Sequence, residues 1–69
     1  MIDVNKLRGK MAEKGRNGRD MARVIGKTPK TFYSKMKAGV FDSDEIVAMV
    51  IDLEITNPLE IFFATEVTS

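Results

Sequence analysis

The chain contains no cysteine and no histidine. Without cysteine there is no disulfide to staple the fold and no thiol chemistry. Without histidine the usual zinc-ligand sets and the commonest general base are missing. Tryptophan is also absent, and proline occurs only twice. The longest unbroken apolar run, Ile46 to Ile51, falls far short of the ~20 residues a membrane span needs. No basic stretch leading into an apolar signal core opens the sequence, so a cytoplasmic location is the expectation.

What is present is a small chain with a divided charge. Its 69 residues suit one domain with one small core. The formal net charge is +1, yet all 11 Lys and Arg lie in residues 1–37, against three acids, Asp3, Glu13 and Asp20. Residues 38–69 hold seven acids and no base. Such asymmetry suits a polyanionic partner for the basic half. It equally suits attraction between the two halves within one molecule.

Helix punctuation recurs along the chain and strand signals do not. Asp3 is a candidate cap for a first helix running from about Val4 to Lys14, with Gly15 as its stop. Asn17 opens a second, from Gly18 to about Ile25, with Met21, Val24 and Ile25 on one face. A third follows Thr28 and Pro29 and stops at Gly39. In the fourth, Asp42 or Ser43 caps and acids fill the first turn. Because only Asp52 is polar between Ile46 and Leu53, this helix is expected to be buried nearly all round. Asn57 and Pro58 open a fifth, whose Leu59, Phe62 and Phe63 form one face while Ile61 points elsewhere, toward a partner. The tail, residues 64–69, is expected to fray. The expectation is an all-α, compact bundle of about five short helices.

Two short helices joined by a glycine turn, "NGRDMARVIGKTPKTFYSKMKAG", form a helix-turn-helix pattern over about residues 17–38. If Phe32 and Met36 mark the buried face of the second helix, Lys30, Tyr33, Ser34 and Lys37 share the opposite one. Two cations, a hydroxyl and a phenol suit a DNA major groove. Arg16, Arg19, Arg23, Lys27 and Lys35 are the candidates for the phosphate backbone, where each neutralised phosphate releases counterions. Lys35, near the buried edge, reaches outward by its long stem.

On these residues the chain resembles the Cro/repressor-type (XRE, lambda-repressor-like) helix-turn-helix family over about residues 4 to 63. The family's middle commonly reads "LAKKLGISRSTFSRKLNNG", and "MARVIGKTPKTFYSKMKAG" lies on it without a gap. Met21-Ala22 match its Leu-Ala, Ile25-Gly26 its Leu-Gly, Thr28 its capping Ser, and Thr31-Phe32 its Thr-Phe. Met36 and Gly39 fall on its Leu and Gly. The resemblance implies that Pro29 and Lys30 sit where the family first meets base edges, although Pro29 can offer only apolar contact. The sequence departs from the pattern at two places. Asn17-Gly18 stand where many members have Thr-Gln, whose Gln helps hold a phosphate, and Lys27 replaces an apolar turn residue.

The whole chain is also similar to Cro-side or modulator-of-repression proteins of temperate phages of Gram-positive bacteria. That resemblance implies a regulator of a lysis-lysogeny switch in a bacterial host cell. Its partner would be operator DNA, the cognate phage repressor, or both, and a homodimer is expected because one short helix meets few base pairs. In the repressor-binding version, Asp42, Asp44, Glu45 and Ile61 form the partner face. Catalysis has little support: Ser34 has no histidine partner. Asp42, Asp44 and Glu45 lack the glycine and later glutamate of an EF-hand loop. No cofactor, metal, small-molecule substrate or membrane is expected.

Overall fold

In the computed structural model, which describes residues 2–62, the first three helices begin where a short polar side chain accepts from a free backbone N–H group. The helices are α1 (Val4–Glu13), α2 (Gly18–Ile25), α3 (Pro29–Ala38), α4 (Ser43–Asp52) and α5 (Pro58–Phe62). Asp3 accepts from the Lys6 N–H at 3.1 Å and Thr28 from the Thr31 N–H at 3.3 Å. At α2 the cap is reciprocal. Asn17 Oδ1 accepts from the Asp20 N–H at 2.8 Å while Asp20 Oδ2 accepts from the Asn17 N–H at 3.0 Å. Asn17→Ala removes one half of this box and is expected to cost about 1 kcal/mol. A thermal melt should then shift down by roughly 4–8 °C. An unchanged midpoint would mean that α2 does not depend on its cap.

Helix ends are equally explicit. Gly26 stops α2 at φ +73° and Gly39 stops α3 at φ +72°, left-handed conformations that cost a glycine little. The connection between α2 and α3 is therefore only three residues, Gly26 to Thr28. No strand interrupts the described residues. The radius of gyration, 11.3 Å, is about the ~11 Å of a packed chain this long. Among the described residues, no helix is long and apolar enough to cross a membrane.

The core gathers one face from each helix. Leu7 and Met11 come from α1, Met21, Ala22 and Ile25 from α2, and Phe32 and Met36 from α3. Met49 from α4 and Ile61 and Phe62 from α5 join them, with Phe41, Leu53 and Ile55 from the connections. Helix α2 is the hub, lying against both α3 and α4, whereas α1 pairs with α5.

Two sequence expectations change here. Ile61 does not point away from the core: it is buried, and the exposed apolar residue of α5 is Leu59. The reason is a backbone clip in which the Asp3 N–H donates to the Ile61 carbonyl at 2.7 Å, turning this short helix inward against the start of α1. Nor is α4 buried all round. Its Glu45 and Met49 face inward, followed by Leu53, but Val47 and Ile51 are 56% and 71% exposed. Phe63 and the tail expected to fray lie outside the described residues.

Candidate nucleic-acid interface

The eleven cations of the basic half meet different fates. Five are bound to carboxylates within the fold. Lys6 pairs with Glu60 at 3.3 Å, Lys10 with Glu13 at 3.4 Å, and Lys14 with Glu54 at 2.9 Å. Arg16 grips Asp52 with two nitrogens, Nε at 2.9 Å and Nη2 at 3.2 Å, and also donates to the Lys14 carbonyl. Lys35 lies between Glu45 at 3.2 Å and Asp42 at 3.6 Å. Attraction between the halves is thus real, and it acts mainly through α1, the α1–α2 loop and Lys35.

Arg16 and Lys35, expected on the phosphate backbone, are therefore engaged in the framework. Arg16 fixes the α1–α2 loop to the C-terminal end of α4, where a cation also suits the helix dipole. Lys35 fixes α3 to the start of α4. The Glu45 hydrogen bond raises the Lys35 pKa above the ordinary lysine value, despite some burial. The Asp52 hydrogen bond does the same for the Arg16 guanidinium. In the exposed Lys14–Glu54 pair, the shared hydrogen bond raises the lysine and lowers the carboxylate. Its stabilising effect is present through the neutral range. It is lost when pH rises through the folded-state pKa of Lys14 or falls through that of Glu54. Exposure keeps the effect small.

Among the described residues, six cations have no carboxylate within ion-pair distance: Arg8, Arg19, Arg23, Lys27, Lys30 and Lys37. All but Arg8 belong to α2, α3 or the turn between them, and all five are exposed. Pro29, Lys30, Tyr33, Ser34 and Lys37, the candidates for base edges, are exposed together on α3. Phe32 and Met36 are buried on the other side, so the expected division of this helix by face holds.

Gly18 carries a role that sequence reading missed. A methyl group built on it would collide with the hydroxyl and ring of Tyr33. The phenol therefore lies directly over the start of α2, with its ring edge-on to Phe32 at 5.7 Å. Tyr33 is 54% exposed, so it does not project freely but leans across the two helix starts. Only the absence of a side chain at residue 18 permits this. The signal in the sequence was a glycine at a helix start together with a bulky aromatic residue on the next helix.

The expected partner face fares differently. Glu45 is buried, its Oε1 accepting from the Asp42 N–H at 2.9 Å while Oε2 has no hydrogen-bond partner. Ile61 is in the core, and Asp42 is paired with Lys35. Of the four residues, only Asp44 is both exposed and unpaired among the described residues.

Comparison with protein-family models, with curated proteins and with solved structures gives no match to this chain.

Proposed function

We propose that the chain is a small DNA-binding regulator in which α2 and α3 act as a helix-turn-helix. The observation that carries this reading is the sorting of the cations. Among the described residues, acids engage five of them, while Arg19, Arg23, Lys27, Lys30 and Lys37 have no carboxylate within ion-pair distance along two consecutive helices. Lys30, Ser34 and Lys37 meet base edges, with Pro29 giving apolar contact. Arg19, Arg23 and Lys27 meet phosphates. Tyr33 offers its hydroxyl to a phosphate beside the start of α2, over Gly18, at the place where many members of the family the chain resembles carry a Gln that helps hold a phosphate. With the resemblance to Cro-side and modulator-of-repression proteins, the natural setting is a phage lysis-lysogeny switch.

A second reading, direct binding of the cognate repressor, draws on the same resemblance. A version in which the acidic half mimics the charge of DNA toward the repressor has less support, because Glu45 is buried and Asp42, Asp52 and Glu54 are already paired.

A gel-shift series across salt on the adjacent control region tests the proposal. Affinity is expected to fall with salt at a log–log slope of about −0.9 per phosphate contacted. Substituting a phosphate contact, as in Arg23→Ala, should reduce that slope by about 1. No binding even at low salt would refute it. Lanes with the repressor alone and with both proteins separate the two readings, since a modulator would alter the repressor's shift without one of its own.

A further inference from the structure

Each base edge in a major groove calls for a different side chain. Guanine presents two neighbouring acceptors, N7 and O6, and suits a lysine or arginine. Adenine suits an asparagine or glutamine, and the cytosine amino group suits a carboxylate. The stretch from Asn17 to Gly39 holds one amide, Asn17, and one carboxylate, Asp20. Both are engaged in the α2 cap, where each accepts the other's backbone N–H. The chain contains no glutamine at all. Adenine and cytosine therefore find no matching side chain on this surface.

The hydroxyls are sorted as well. Thr28 accepts from the Thr31 N–H at 3.3 Å, and its hydroxyl donates to that of Thr31 at 3.0 Å. The Tyr33 phenol lies over Gly18 at the start of α2. On α3 this leaves Lys30, Ser34 and Lys37 as exposed polar groups without an internal partner among the described residues. Serine can pair with several bases, so the lysines carry the discrimination. Lys30 is the second residue of α3, whereas Lys37 belongs to its last turn, about 10 Å further along. In a helix docked this way the N-terminal residues are the ones that contact base edges.

We infer that Lys30 specifies a guanine in the DNA that this surface binds. Its ammonium donates to N7 and O6 together. Adenine would meet the same ammonium with one acceptor and one donor, and cytosine with a donor alone. The preference rests on the DNA-binding reading proposed above and goes beyond it by naming the base and its reader.

Selection from a randomised pool of DNA duplexes by the full chain at low salt, followed by sequencing, tests the inference. Guanine should be enriched at one position or more, and replacing it with adenine should weaken binding by about 5-fold or more. Lys30→Gln should change one enriched guanine to adenine, because an amide matches adenine N6 and N7. Residue 30 is exposed, so this variant should keep the circular dichroism and melting temperature of wild type. Tyr33→Phe should weaken all sequences alike and leave the preferred bases unchanged.

Binding with no enriched guanine would overturn the inference while leaving the DNA-binding reading in place. So would a Lys30→Gln variant that binds every sequence more weakly and loses about one unit of salt slope, since Lys30 would then be a phosphate contact. A change of preferred base in Tyr33→Phe would overturn it by showing a different reader. Failure to retain any duplex, even at low salt, would refute the DNA-binding reading and the inference with it.

Discussion

Phe32→Ala is expected to leave the chain largely unfolded at 25 °C. Phe32 is fully buried in α3, with its ring 5.7 Å from those of both Tyr33 and Phe41. It therefore joins the proposed recognition helix to the start of α4. Truncating a buried phenylalanine to alanine costs about 3–5 kcal/mol. A domain of this size retains only about 3–5 kcal/mol of net stability. The loss is as large as the reserve. Neighbouring Met36 is flexible and can fill part of the void, which places the cost toward the lower end. Circular dichroism and the dispersion of the proton NMR spectrum would show the outcome directly. Phe32→Leu, which keeps most of the volume, should stay folded with a lowered midpoint. A cooperative melt of Phe32→Ala within a few degrees of wild type would contradict the central place given to this ring.

The second large effect concerns a charge. Lys35→Met keeps the apolar stem but strands the buried Glu45 carboxylate, whose Oε2 already lacks a partner. Breaking a buried pair by removing one member is strongly destabilising, because the remaining charge is uncompensated. The Asp42 N–H still donates to Glu45 Oε1, so the loss is partial. A fall in melting temperature on the order of 10 °C at neutral pH is expected.

The direction with pH is the sharper test. In wild type the Lys35 ammonium is held above its ordinary pKa, so its contribution is complete at neutral pH and lost only as strong alkali deprotonates it. The variant has no ammonium to lose there. The gap between the two proteins should therefore narrow as pH rises through the folded-state pKa of Lys35. Replacing both partners, as in Lys35→Met with Glu45→Leu, should recover much of the lost stability. If Lys35→Met melts like wild type but loses one unit of salt slope on DNA, Lys35 is a phosphate contact and not a strut.

How far the sequence spoke for itself depended on the range of each interaction. Caps, glycine stops and the outward face of α3 are local, and they were readable at Asn17, Thr28, Gly26 and Gly39. The orientation of α5 was not, because a helix of five residues has too few turns for periodicity to decide between Leu59 and Ile61. Helix α4 defeated the pattern for the opposite reason. When almost every position is apolar, nothing local distinguishes Met49, which is buried, from Ile51, which is not.

The ion pairs were hidden by distance along the chain. Arg16 and Asp52 are 36 residues apart, and only the folded arrangement shows that this cation is already engaged. The Tyr33–Gly18 contact belongs to the same class, since each residue is ordinary until the other is placed beside it.

The sorting of the cations has a consequence for kinetics. With five positive side chains cancelled by neighbours, most of the remaining field arises from α2 and α3, so the molecule carries a directional moment and not a diffuse charge. A polyanion approached in solution would rotate the protein before touching it. More of the random collisions would then arrive with the correct helix foremost. Association would be fast at low ionic strength and slow steeply as salt is added, even though the net charge is only +1.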